Sequence, residues 1–518
     1  MHENRETSVA PDAVAGRSGK AHGRTPGMHA AEESDSGVVP MNQLNKGGKP
    51  LAEAGEGRPG IKENTAQPNT RPTQSGASVS QGLSGVRQRA RERRQEKFTA
   101  LLHHLTVELL RESYFALRRK AAPGVDGETW QQYGTGLEGR LADLHSRVHR
   151  GAYRAKPSRR VYIPKADGRQ RPLGIAALED KVVQQAVVTI LNQIYEVDFK
   201  GFSYGFRPGK SPHQALDALY VGLVRSKVNW VLDADIRSFF DRMSHEWTMQ
   251  FVQHRVADNR ILRLIQKWLK AGVMEEGRWE KTEMGTPQGA VVSPLLANVY
   301  LHYVFDLWAE AWRRKVARGQ VVVVRYADDL VVGFQFQADA ERFLKEFRER
   351  LAKFGLDLHS EKTRLLEFGR FAAVDRRKRG KKKPETFTFL GFIHQCGTSP
   401  RGLFMVWRQT ANKRMVAKLK QIKQTLRLRM HEPLDQIGIW LRSVSQGFYQ
   451  YHAVPGNLRA MNTFRHRLRR LWRSTLRHRS QRPNVRWQRI GPLFDRWLPA
   501  PRVLHPYPDA RFDATHPR

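Results

Sequence analysis

Arg325-Tyr326-Ala327-Asp328-Asp329-Leu330-Val331-Val332-Gly333-Phe334, entered through Val321 to Val324, sets two adjacent carboxylates between two apolar, β-branched runs. Two such runs joined by a short polar step predict a β-hairpin with the Asp pair at its turn. Carboxylates fixed side by side repel, and one takes up a proton unless a cation neutralises them. A divalent cation is the simplest solution. Oxygen-rich sites with few carboxylates suit Mg²⁺, which keeps waters and substrate phosphate oxygens as further ligands. Asp is also a good turn former, so a solvated hairpin is the lesser alternative for this decapeptide by itself.

A second acidic strand changes the balance. Trp230-Val-Leu-Asp233-Ala-Asp235-Ile236 alternates so that Asp233 and Asp235 share one face, and Phe239, Phe240 and Asp241 follow at once. Nucleotidyl transfer uses a carboxylate on such a strand to meet the Asp328 pair across a sheet and hold two metals about 3.5 to 4 Å apart. One metal lowers the pKa of an attacking 3′-hydroxyl and the other steadies the pyrophosphate, so no protein nucleophile is required.

The rest of the chain must position these groups and bind a polyanion. Its 518 residues carry 89 Lys and Arg against 50 Asp and Glu, a net charge of +39. Nucleic acid is the first partner to expect, because neutralising phosphates releases counterions. No apolar stretch approaches the roughly 20 residues of a spanning helix, and Met1 to Gly37 lacks the apolar centre of a secretory signal. Cys396 is the single cysteine, which excludes an intrachain disulfide and a multi-cysteine zinc site. A cytoplasmic location, with no membrane partner, is the default expectation.

Residues 1–85 are rich in Gly, Ser, Pro, Asn, Gln and charge and are expected to be disordered. Order is expected from Val86, with helical spacing of Phe98, Leu101, Leu102, Leu105, Leu109 and Leu110 across Gln95 to Lys120. Short β-type runs alternate with helical patterns from Tyr153 to Phe392, and beyond Arg401 the chain reads as helical. There 25 Lys and Arg face 5 Asp and Glu. Lys165 and Arg171 flank Asp167-Gly168, a hairpin signal, so two cations could fold over a triphosphate. Ser293-Pro294 reads as a helix start, Ser293 capping and Pro294 in the first turn.

Asp235-Ile-Arg-Ser-Phe-Phe240, Gly285-Thr-Pro-Gln288-Gly289-Ala-Val-Val-Ser293-Pro294, Tyr326-Ala-Asp-Asp329, Gly355-Leu-Asp-Leu-His-Ser-Glu-Lys362-Thr363 and Phe389-Leu-Gly-Phe392 stand in the order of a reverse transcriptase palm. With Ile163-Pro-Lys165 through Arg171-Pro-Leu-Gly-Ile175 upstream, they resemble the reverse transcriptase/maturase proteins encoded by bacterial group II introns. The resemblance covers about Phe98 to Ala500. It implies an α+β right-hand polymerase: fingers and palm with an antiparallel sheet and helices over 86–400, a helical thumb/maturase region over 401–500, and a short tail at 501–518.

Residue by residue, the resemblance implies that Asp235, Asp328 and Asp329 are catalytic and hold two Mg²⁺ ions, with Mn²⁺ a possible substitute. Asp233 is then structural, because the family's aromatic lies five residues beyond the catalytic Asp and Phe240 fills that place. The backbone carbonyl of Ile236 is expected to reach a metal. Lys165, Arg171, Gln288, Gly289 and Lys362 would contact the incoming nucleotide, with Phe240 under its sugar excluding a 2′-hydroxyl.

Phe202-Ser-Tyr204-Gly-Phe206-Arg207 matches another family block, and its aromatics and cations suit nucleic-acid contact. Arg465, Arg469 and Arg473 lie in the region that resembles the thumb and maturase segment. The basic run Arg376 to Lys383 is expected to be a solvated loop. The implied partners are group II intron RNA, an RNA template with a DNA or RNA primer, target DNA and deoxynucleoside triphosphates. The lack of paired cysteines and the few residues after Ala500 lead to the expectation that the family's endonuclease domain is not present. A related polymerase recruited for host defence or repair, and a splicing-only RNA-binding protein, are the competing readings.

Overall fold

Val321–Tyr326 and Asp329–Phe334 pair as an antiparallel hairpin in the register their alternation predicts, Tyr326 opposite Asp329. The computed structural model describes residues 74–164, 170–479 and 487–515; Lys165 and the Asp167-Gly168 step lie outside them. Among the described residues the strands are β1 Ser158–Pro164, β2 Gln170–Ile175, β3 Trp230–Asp235, β4 Val273–Glu275, β5 Arg278–Glu280, β6 Val321–Tyr326, β7 Asp329–Phe334, β8 Arg364–Glu367, β9 Phe387–Phe389, β10 Phe392–Thr398 and β11 Phe404–Thr410.

They form three sheets. The palm sheet runs β6-β7-β3-β8, all antiparallel, with the acidic strand β3 between β7 and β8. The fingers sheet runs β2-β1-β4-β5, and β9, β10 and β11 form a meander. Period-two alternation divides the palm strands between two cores. Leu232, Ala234, Val323, Leu330, Val332 and Phe334 join Phe343 and Phe347 of the helix Gln337–Ala352 on one face. Val231, Val324 and Val331 join Leu216, Leu219 and Leu223 of the helix Pro212–Arg225 on the other. The α+β fingers and palm therefore follow the expected pattern.

Several boundaries differ from expectation. A helix spans Gln74–Glu92, and Leu83, Val86 and Ala90 are buried in the larger core, so packed structure starts before residue 86. The segment 95–106 is not one helix. Asp258 accepts the backbone N–H groups of Leu101 and Leu102 at 2.8 and 2.9 Å and holds them in a turn, and the α-helix covers only Val107–Ala116. The first turn of the helix Ser293–Leu301 has no side-chain cap. Ser293 instead hydrogen-bonds through its hydroxyl to the Pro287 carbonyl at 3.0 Å.

Further along, the chain is not helical from Arg401: β11 returns antiparallel to β10, and the helices start at Asn412. Arg376–Lys383 is not a free loop either. Its first half closes the helix Ala372–Lys378, where Arg376 pairs with Glu367 and Glu385 and Arg379 pairs with Glu367.

The helices Asn412–Leu428, Leu434–His452, Leu458–His478 and Trp487–Trp497 build a third core around Ile422, Leu441, Phe464 and Trp472. The segment expected as a tail folds back as the helix Pro508–Thr515 on the helix Pro212–Arg225. Arg225 holds Asp513 through two 2.8 Å hydrogen bonds, and Arg511 pairs with the buried Asp217.

Candidate active site

The β6–β7 turn consists of Ala327 and Asp328, and Ala327 is left-handed at φ +55°. Two-residue hairpins need a positive φ at the first or both central positions to match strand twist. The turn thus carries an alanine where glycine is at ease.

β3 delivers Asp235 opposite Asp329, on the same face of the sheet as Val231 and Val331. Lys362 Nζ lies 3.1 Å from Asp235 Oδ2. Burial pushes the Asp328 carboxyl up to about 6; the Asp235 carboxylate adds to the rise, while its own backbone N–H, Arg171 and Lys362 oppose it. Asp235, Lys362 and Arg171 therefore stand close enough for their charges to act on Asp328. Asp233, two residues back, faces Arg364 at 3.6 Å across the β3–β8 pair, and burial lifts it to about 7. That pairing gives Asp233 a partner of its own away from the turn.

Ile236 is buried and makes an antiparallel bridge to Leu358, while His359 N–H donates to the Asp235 carbonyl at 2.8 Å. Phe240 is half-buried, edge-on to Phe239 with centroids 5.4 Å apart. Its carbonyl accepts the Thr286 N–H at 2.9 Å, and a Cβ on Gly285 would come within 2.9 Å of the same oxygen. Glycine at 285, with φ +83°, is what lets the two segments touch.

The fingers meet the palm at Gln288. The Gly174 N–H of β2 donates to its carbonyl at 2.8 Å, Arg171 Nε to its Oε1 at 2.5 Å, and its Nε2 donates to Asp241 Oδ1 at 3.3 Å. Gly289 permits the approach, since a Cβ there would sit 2.9 Å from the Gly174 carbonyl oxygen.

Asp235, Asp328 and Asp329 are neighbours without closing into a three-ligand cluster; among the described residues no group of three or more His, Cys, Asp or Glu is so arranged. Carboxylates set this close, with the charge of Asp235 raising the Asp328 carboxyl, fit a Mg²⁺-type ion, which takes its remaining ligands from water and phosphate.

Residues 163–394 match the family profile described as reverse transcriptase (RNA-dependent DNA polymerase). Protein YkfC of Escherichia coli K12 is 35% identical over 277 residues, 47% of this chain and 72% of that protein. The group II intron-encoded protein LtrA of Lactococcus lactis subsp. cremoris is 33% identical over 225 residues, 42% of this chain. The chain belongs to the group II intron-encoded reverse transcriptases. The aligned stretch spans 37% of LtrA, and 18% of a 91 kDa protein in the cob intron of Schizosaccharomyces pombe that is 41% identical over 146 residues.

In this reverse transcriptase two residues of the Phe202–Arg207 block, Tyr204 and Arg207, are taken up inside the protein. Tyr204 is buried, and its N–H donates to the Arg325 carbonyl at 2.9 Å. Arg207 is buried on Glu196 at 3.0 Å and on the carbonyls of Lys200 and Ser203. A buried cation whose donors are already taken has no reach toward a template. Phe206, at φ +56°, packs near Tyr326.

The thumb arginines differ from expectation in the same way. Arg465 and Arg469 both pair with Asp495, and Arg473 lies over the Trp487 ring at 4.9 Å, so all three fasten one helix to the next. Arg467 and Arg470, like Arg459 and Arg477 of the same helix Leu458–His478, are exposed. These partners are remote in sequence, and the one legible signal was the scarcity of acids in a segment so rich in arginine. Among the described residues no helix is long and apolar enough to cross a membrane.

Proposed function

We propose that the chain extends a primer 3′-hydroxyl on an RNA template with deoxynucleoside triphosphates, and that it also binds group II intron RNA as a maturase in splicing and mobility. Asp235, Asp328 and Asp329, with the Ile236 carbonyl, would hold two Mg²⁺ ions, or Mn²⁺ in their place. When bound, such ions supply the charge that acidifies the 3′-hydroxyl and stabilises the leaving pyrophosphate. Arg171 and Gln288, already in contact with one another, bind the triphosphate and sugar edge of the nucleotide. Phe240 forms the floor under the sugar, and Lys362 holds a proton close to the departing phosphate. Lys165, outside the described residues, is assigned to the triphosphate by the family resemblance alone.

The observation that carries this reading is the register that sets Asp235 of β3 opposite Asp329, beside Asp328 of the β6–β7 turn, with Lys362 Nζ 3.1 Å from Asp235. The maturase role rests on the helical third core with its excess of arginine, and on the kinship to LtrA. Asp328→Ala tests the centre: Mg²⁺-dependent extension on an RNA template should fall at least about 10³-fold while RNA binding stays near wild type. Near-normal extension by this variant sinks the assignment.

A further inference from the structure

Arg325, three residues before Asp328, is wholly buried together with Asp306. Its Nε and Nη2 donate to the two Asp306 oxygens at 2.7 and 2.6 Å, and its Nη1 donates to Asn298 Oδ1 and to the Ala327 carbonyl, each at 3.0 Å. One guanidinium thus grips the strained residue of the turn and anchors it to two points on a neighbouring helix. Asn298 continues the chain of contacts, donating from Nδ2 to the Gly205 carbonyl at 2.7 Å. Gly205 in turn lies flat against the turn, and any Cβ there would overlap the Ala327 backbone nitrogen.

The helical geometry is arranged for this grip. Asn298 and Asp306 are eight residues apart, which in an uninterrupted α-helix leaves them about 80° apart around the axis. The segment His302–Asp306 is π-helical, with the Leu307 N–H reaching the His302 carbonyl. One extra residue in a turn rotates the two side chains to within roughly 20° of each other, so both meet the same guanidinium. Stability alone does not require such a cluster, because an apolar set of similar volume commonly serves as well as a buried ion pair.

We propose that Asp306 and Asn298, acting through Arg325, are positioning residues that hold the Ala327 turn and thereby set the Asp328 carboxylate against Asp235. This rests on the reading of Asp328 as a metal-holding carboxylate. The double variant Arg325→Met/Asp306→Leu removes both charges together, so neither is left buried alone, and Asn298→Ala removes one anchor without touching the pair.

Primer extension, Mn²⁺ binding to the RNA-free protein by electron paramagnetic resonance, RNA affinity and thermal melting are measured in parallel, with Asp328→Ala as the reference. The double variant should melt and bind RNA like wild type, yet bind Mn²⁺ about tenfold more weakly and lose about 10²-fold in kcat, as an ångström-scale misplacement would cause. Asn298→Ala should shift the same quantities by about tenfold in kcat. A folded double variant or a folded Asn298→Ala with wild-type Mn²⁺ affinity and kcat overturns the positioning assignment, provided Asp328→Ala is inactive. If the double variant does not fold, Asn298→Ala decides alone. An active Asp328→Ala instead overturns the reading of the centre itself.

Discussion

Arg171, on the second fingers strand, donates from Nε to the side-chain oxygen of Gln288 in the palm at 2.5 Å. With the Gln288 amide nitrogen directed to Asp241 at 3.3 Å, the amide is fixed at both ends before any nucleotide arrives. Gln288→Ala removes both ties. We expect KM for deoxynucleotides to rise about tenfold with a much smaller change in kcat, the pattern of lost uniform binding. Steady-state primer extension over a range of nucleotide concentrations checks it, and an unchanged KM would refute the contact.

Phe240 is half-buried and braced edge-on by Phe239, with its main chain strapped by Thr286. A half-buried ring with a fixed backbone and a packed neighbour suits a steric gate. Phe240→Ala should reduce discrimination against ribonucleotides by about tenfold or more, because a steric barrier and not a hydrogen bond is removed. Single-nucleotide insertion of matched ribo- and deoxynucleotides measures the ratio; equal ratios in variant and wild type count against the gate.

Arg467 and Arg470 are exposed, and neither enters an ion pair among the described residues. Arg465, on the same helix Leu458–His478, is tied to Asp495 and to the Leu498 carbonyl at 3.0 Å. Alanine at 467 or 470 should weaken RNA binding and reduce the slope of log affinity against log salt by about one each. Arg465→Ala should leave that slope alone and lower stability by about 1 kcal/mol through the lost hydrogen bonds. Salt titrations of RNA binding beside melting curves separate the two classes, and identical slopes for all variants would contradict the division.

Asp180, at the start of the helix Leu178–Asp198, accepts hydrogen bonds from the Tyr153 hydroxyl and from the Lys156 N–H at 3.0 Å. Burial nevertheless pushes its carboxyl up to about 6. Between pH 4 and 6 the folded state therefore keeps a proton that the unfolded chain has released, and stability falls as pH rises through that window. A displacement of this size corresponds to about 3 kcal/mol at most. Asp180→Asn should lose this slope, so relative to wild type the variant gains stability on going from pH 4 to pH 7. Denaturant unfolding at both pH values tests it; parallel pH curves would contradict the shift.

The palm strands were legible because their signals are local. Asp235 and the Asp328 pair sit in period-two apolar runs, and β3, β6 and β7 form where those runs predict. What escaped reading depends on distant partners. Phe98, Leu101, Leu102 and Leu105 have helical spacing, yet Asp258, far along the chain, captures two of the amides concerned. Arg207, Arg465 and Arg469 look like any phosphate-binding cations until Glu196 and Asp495 are seen beside them. β11 went unrecognised because its alternation, Phe404-Met-Val-Trp-Arg-Gln-Thr410, lies at the start of a basic segment whose composition suggested helix.

β3 lies between two strands that follow it in the chain, pairing through Asp235 with Asp329 and through Trp230 with Glu367. During synthesis it must wait for roughly 100 further residues, which at about 5 to 20 residues per second means some 5 to 20 s with both edges open. Bare edges recruit other chains, and charges on a strand face are one defence against it. Asp233 and Asp235 put two charges on one face of that waiting strand, a feature that discourages edge-to-edge pairing until β7 and β8 are made.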